Sequence, residues 1–204
     1  MAYFGKSLKE LPQDEIPFVV KLIIEHISKT SLEIEGIFRI PGQQSVIKEL
    51  KAELDNGKDI DFEKVEDKYA IASLLKLYLR ELPEPLCGFE YYDMFLAAQA
   101  INVEITRNVM LRKVIDFLPP LNKILLKYLC KFLTEVEKNS AKNKMNAENL
   151  AVVFSPNLLR PREQSAKIFM EDAPVSKLLM KTFIQNFSYI FEDQEMIPPP
   201  DDKN

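Results

Sequence analysis

The chain has 204 residues, 47% of them hydrophobic, enough to bury one sizeable core and to favour a single domain. A formal charge of −4 with 28% charged residues describes an ordinary soluble surface, and it argues against a nucleic-acid partner. No apolar run approaches the ~20 residues of a membrane helix, and the opening MAYFGKSLKELPQDE lacks the form of a secretory signal, so a cytoplasmic location without membrane insertion is expected.

The periodicity is helical almost throughout. Residues 16–27 place Ile16, Val19, Val20, Ile23 and Ile27 on one stripe, with Pro17 suited to the first turn. Residues 43–55 form a second helix closed by Gly57, and residues 66–80 a third, ended by Pro83 and Pro85. Two more follow over 89–100 and 104–117 before Pro119-Pro120 breaks the chain. In LNKILLKYLCKFLTEVEK the residues Leu121, Ile124, Leu125, Tyr128, Leu129, Phe132, Leu133 and Val136 make the broad apolar face of a central core helix. A helix over about 146–155 comes next, then a loop SPNLLRPRE, then a last helix over about 172–191. No alternating strand pattern and no internal repeat recur, so the fold class is all-α, one domain over 1–192 with a disordered tail, IPPPDDKN, inside 193–204.

Several kinds of chemistry lack their residues. There is no GxxxxGK[ST] loop for a nucleotide. A single histidine, His26, rules out most triads and every multi-histidine metal site, and a structural or surface role suits it. Cys87 and Cys130 match no metal or disulfide spacing and read as free thiols, and no local signature joins either to His26 as a dyad. The acidic groups around Asp59, Asp61 and Glu63 read as a solvated loop. No metal site is expected, and no free-standing hydrolase.

What remains is positive charge in fixed places. EGIFRIPG, residues 35–42, sets Arg39 in a short apolar run closed by Pro41-Gly42; a strongly hydrated side chain there is either a bystander reaching to water or a group presented to another molecule. Lys76 and Arg80 lie four apart on one helix face, at the border of the stripe Ala70, Ile71, Leu74, Leu75, Tyr78 and Leu79. Asn143, Asn146, Asn149 and Asn157 recur within residues 143–161. Asn146 suits an N-cap and Asn143 a turn, whereas Asn149, inside the helix, has both a donor and an acceptor to offer a partner.

EGIFRIPG, KLYLRELPEPL and NKMNAENLAVVFSPNLL, in this order and separation, resemble the three signature blocks of the RhoGAP domain, and the likeness extends over about residues 4–191. The resemblance implies about nine helices around a four-helix-bundle core. It also implies stimulation of GTP hydrolysis by a Rho-family small GTPase in its GTP-bound state, by a monomeric activator that is not itself a hydrolase. GTP and Mg²⁺ would belong to the partner, and the chain would bring no cofactor of its own. By this resemblance Arg39 is the arginine finger. Arg80 braces the finger loop, Lys76 meets the GTPase near its switch regions, Asn149 hydrogen-bonds the partner and Asn143 holds the neighbouring turn. A proline ahead of the family's last helix is matched by Pro174. Pro41 departs from the commonest pattern, in which a serine follows, and it should stiffen the loop. The rival expectation is a catalytically silent module of the same fold. Recruitment to the inner membrane face or cytoskeleton would fall to regions outside this chain.

Overall fold

A computed structural model describes residues 2–163 and 165–192. Within them the secondary structure is helical, with no strand: α1 (Phe18–Thr30), α2 (Gln44–Asp55), α3 (Lys68–Glu81), α4 (Tyr92–Gln99), α5 (Glu104–Asp116), α6 (Pro120–Lys138), α7 (Ser140–Asn143), α8 (Ala147–Leu158), α9 (Ala166–Gln185) and α10 (Phe187–Phe191), plus 3-10 turns at Leu8–Glu10 and Phe62–Lys64. The expected disordered tail falls outside the described residues.

The core is a closed quartet. α1 packs on α3 and α6, and α8 packs on the same two helices. Each presents an apolar stripe: Val19, Val20, Ile23, Ile24 and Ile27 from α1; Ile71, Leu74, Leu75 and Leu79 from α3; Leu125, Leu129, Phe132 and Leu133 from α6; Leu150, Ala151 and Phe154 from α8. Burying one such aliphatic or aromatic side chain contributes about 1.5–3 kcal/mol, so the interlocked stripes fix how these helices face one another. α9 lies against α8, α6 and α4, while α2 covers α3.

Local signals set the ends. Pro17 caps α1, and Pro119-Pro120 opens α6, with Pro120 in the first turn where its missing N–H costs nothing. Asp67 caps α3 by accepting from Ala70 N at 3.0 Å, and Asn146 caps α8 by accepting from Asn149 N at 2.9 Å. Gly57, at φ +73°, closes α2 as expected.

Two boundaries differ from the sequence reading. α8 does not stop at 155 but runs through Pro156 to Leu158. The bond that proline removes falls on the carbonyl of Val152, an exposed residue, and Asn157 Nδ2 ties the last turn by donating to the Val153 carbonyl at 2.9 Å. The final long helix begins at Ala166 rather than near 172, and a short α10 follows it. Pro174 therefore lies inside α9, not ahead of that helix. The carbonyl it leaves free belongs to Met170, which is exposed to water. Packing against α8 holds α9 together across that gap.

Candidate functional site

The α1–α2 loop carries Arg39, and its neighbours bury themselves. Ile37 and Phe38 are 0% and 1% exposed, whereas Arg39 is exposed. The Phe38 ring meets Phe132 of α6 and Phe154 of α8 edge-on, at centroid distances of 5.8 and 5.0 Å. Its backbone takes φ +69°, a left-handed conformation that costs a non-glycine residue of order 1–3 kcal/mol. Burial of the ring, at about 1.5–3 kcal/mol, offsets that cost. The outcome is geometric: a side chain locked into the core at 38 turns the next one outward.

Polar groups then claim the loop's backbone one by one. The Asn143 carbonyl accepts from Gly36 N at 2.8 Å, and the Gly36 carbonyl accepts from Arg39 N and Ile40 N at 2.9 and 2.8 Å. Gly36 sits at φ +72°, a conformation that strains other residues, and a Cβ there would displace the exposed Ile40 side chain, so glycine is favoured. Tyr69 donates its hydroxyl to the Glu35 carbonyl at 2.9 Å, Lys76 donates its ammonium to the Phe38 carbonyl, and Ser73 Oγ accepts from Gly42 N at 3.3 Å. Gly42 packs onto the backbone of α3 at Tyr69 and Ala70, where no side chain fits. Asp67 accepts from Gln43 N at 2.7 Å.

Asn143 is completely buried and uses its whole amide. Nδ2 donates to the Leu32 and Val136 carbonyls at 2.7 and 2.8 Å, and Oδ1 accepts from Met145 N at 2.7 Å. Its side chain closes this turn, and through its own carbonyl it also holds Gly36. Asn149 is half-buried. Its Nδ2 donates to the Lys144 carbonyl at 2.8 Å, across a residue at φ +61°, while its Oδ1 makes no hydrogen bond among the described residues.

Lys76 and Arg80 exchange one role relative to the expectation. Lys76, not Arg80, reaches the α1–α2 loop. Burial, and then the nearby Arg80 charge, pushes the Lys76 ammonium below its ordinary pKa. Arg80 is exposed and makes no hydrogen bond or ion pair among the described residues. Tyr69, Ser73, Lys76 and Arg80 fall at i, i+4, i+7 and i+11, one polar stripe along an otherwise apolar α3. The loop crosses the first three positions, and Arg80 lies beyond it. Tyr69, Ser73 and Asp67 were missed from sequence; that stripe was the signal for the first two, and the N-cap position ahead of α3 was the signal for Asp67. Pro174 lies on α9, which packs on α8, α6 and α4.

The alternatives weighed from sequence have ordinary structural explanations. His26 pairs its Nε2 with Thr30 Oγ1 at 3.2 Å and packs its ring edge-on to Phe62 at 5.4 Å. Cys87 and Cys130 are buried free thiols, and burial pushes Cys87 up to about 12, far from a reactive thiolate. Among the described residues no group of three or more His, Cys, Asp or Glu side chains could hold a metal ion, and no helix is long and apolar enough to cross a membrane.

An exposed arginine on a braced loop of an all-helical bundle is the geometry against which the comparisons with known proteins are set. The RhoGAP domain profile matches residues 17–163, and the chain belongs to that family. It is 41% identical over 189 residues to Rho GTPase-activating protein gacJJ of Dictyostelium discoideum, covering 90% of this chain and 22% of that one. It is 39% identical over 209 residues to human Rho GTPase-activating protein 24, covering 98% of this chain and 28% of that one. The chain thus spans about a quarter of the length of these relatives. The crystal structure of human Rho GTPase activating protein 15 superposes with a TM-score of 0.87 at 28% identity, over 93% of this chain and 92% of the other.

Proposed function

We propose that this domain stimulates GTP hydrolysis by a Rho-family small GTPase, binding it in the GTP-bound state as a monomer in the cytoplasm. Arg39 enters the partner's active site in trans. The observation that carries this reading is the contrast at the tip of the α1–α2 loop: an exposed Arg39 follows a fully buried Phe38 whose carbonyl is held by Lys76.

Phosphoryl transfer needs positioning and charge stabilisation more than covalent help, and negative charge builds on the phosphate oxygens as the bond to the leaving group breaks. A guanidinium is permanently charged, planar and multidentate, so it can meet two oxygens at once. It acts on charge that develops in the transition state, which raises rate rather than ground-state affinity. Its value depends on arriving in place without reorganisation, and the buried anchors and claimed carbonyls of this loop supply that. The partner brings GTP, Mg²⁺ and a water-orienting residue; this chain adds no cofactor. Asn149 Oδ1 and Arg80 offer an acceptor and a charge to the partner surface. Pro174, by the resemblance, belongs to the same docking face. An arginine at the tip separates this reading from a silent module of the same fold.

The test is single-turnover hydrolysis by a panel of purified Rho-, Rac- and Cdc42-type GTPases loaded with GTP, with and without this domain. At least one should accelerate by 10³-fold or more, the lower range for arginine fingers. Unchanged rates across the panel would refute the activity.

A further inference from the structure

Between α2 and the loop 56–67 runs an open groove of about 680 Å³. Its floor is aliphatic: Leu50 is buried, and Val46, Ile60 and Val65 are half-buried.

The walls carry charge of one sign. Six carboxylates line the groove against a single lysine, Lys64. Three of the six are committed within the chain. Glu53 pairs with Lys58 at 3.2 Å, Asp61 pairs with Lys64 at 3.1 Å, and Asp67 accepts from Gln43 N and Ala70 N at 2.7 and 3.0 Å. Glu49 on α2, with Asp59 and Glu66 on the loop, is different: all three are exposed and make neither a hydrogen bond nor an ion pair among the described residues. Like charges around a concavity repel one another, so the free domain gains nothing from this arrangement, whereas the low-dielectric floor focuses their field outward. A cation relieves that repulsion. An aliphatic floor between carboxylates suits lysine and arginine in particular, whose stems are apolar and whose heads are charged.

The groove is continuous with the loop that carries Arg39. Gln43 lines it, and four residues, at most about 14 Å of extended chain, separate Gln43 from Arg39. A protein interface of standard size, about 800 Å² on each partner, extends past that distance. A protein that receives Arg39 therefore has surface to lay along the groove.

We propose that the groove seats a lysine- or arginine-bearing segment of the bound GTPase, with the stems on Val46, Ile60 and Val65 and the charged heads at Glu49, Asp59 and Glu66. The inference rests on the GTPase-activating reading and deepens it: these residues set the preference among GTPases, by the basic charge that each partner carries beside its nucleotide site.

Association is followed by stopped flow with each GTPase of the panel, loaded with a slowly hydrolysed fluorescent GTP analogue, at low and at physiological salt. In the variant Glu49→Gln/Asp59→Asn/Glu66→Gln the association rate at low salt should fall about tenfold, and its salt dependence should flatten. The control Glu10→Gln/Asp14→Asn/Glu15→Gln likewise moves the formal charge from −4 to −1, but none of its residues lines the groove, and it should associate like the parent. Amides over 59–66 should gain protection from hydrogen exchange in the complex. Equal rates for variant and parent, an equal loss in the control, or no added protection over 59–66 would each overturn the groove. Association without accelerated hydrolysis would refute the activation alone and still read the groove, whereas no association by any member of the panel would overturn both.

Discussion

Two loops of similar length flank α2 and are held by opposite means. The loop before it, 31–43, buries Ile37 and Phe38 and gives its carbonyls and amides to Asn143, Tyr69, Ser73 and Lys76. The loop after it, 56–67, buries only Phe62 deeply and otherwise relies on surface pairs such as Lys58–Glu53 at 3.2 Å and Lys64–Asp61 at 3.1 Å. The two meet at the start of α3, where Asp67 caps that helix and also accepts from Gln43 N at the end of the first loop. Exposed ion pairs contribute little and are screened by salt. The proposed role of Arg39 needs a loop that does not depend on them, and here the backbone is claimed by side chains from the helices beneath.

The largest expected break is functional. Arg39→Ala should lower saturating single-turnover GTP hydrolysis by at least ~10²-fold while binding to the GTP-loaded partner persists, and Arg39→Lys should recover little, because lysine keeps the charge but loses the planar fork. The fold should survive both, since the side chain is exposed. Near-normal turnover in Arg39→Ala would remove any special status from the first loop.

Asn143→Ala attacks the hold rather than the tip. Two carbonyls and one amide would lose their buried partner, a cost of about 3 kcal/mol or more in urea unfolding. Native-state hydrogen exchange should quicken over 32–42 and stay unchanged over 56–67. Equal loosening of both loops would show that their holds are not separate.

Next in size comes the pair on α3. Lys76→Met keeps an apolar stem but frees the Phe38 carbonyl, so the maximal rate should fall about tenfold with affinity nearly constant, and exchange at 38–40 should rise. Arg80→Ala should leave that exchange alone and weaken partner binding instead. The reverse pattern would return the bracing role to Arg80.

The smallest effect belongs to the second loop. Burial first, and then the Lys68 charge, hold the His26 imidazole below its ordinary pKa of 6.5 while its ring packs on Phe62. Below that pH the unfolded chain takes up the proton more readily, so stability present above 6.5 should decline on acidification through it. His26→Gln should flatten the pH profile of Tm in that window, and an unaltered slope would mean that His26 does not couple to folding.

Helix identity was legible from sequence wherever an apolar stripe coincided with a cap, as in α1, α3 and α6. It failed at Pro156 and Pro174, because local propensity at a proline is outweighed by packing that only the α8–α9 contact supplies. In the site, Arg39 and Asn143 could be placed by pattern, since one needs exposure and the other a turn. Lys76 and Arg80 could not be told apart. They share a face, and which one meets the loop depends on where along α3 a remote segment crosses.

Phe38 has a consequence that reaches beyond the loop. Its Cα stands about 3.8 Å from that of Arg39, one peptide step, so the deep interior and the outward-facing guanidinium share a fulcrum. A change of packing at Phe132 or Phe154, neither of them at the surface, would tilt the lever and alter its aim. Relatives that differ at these two interior rings would then diverge in how fast they work without differing at any residue the partner touches.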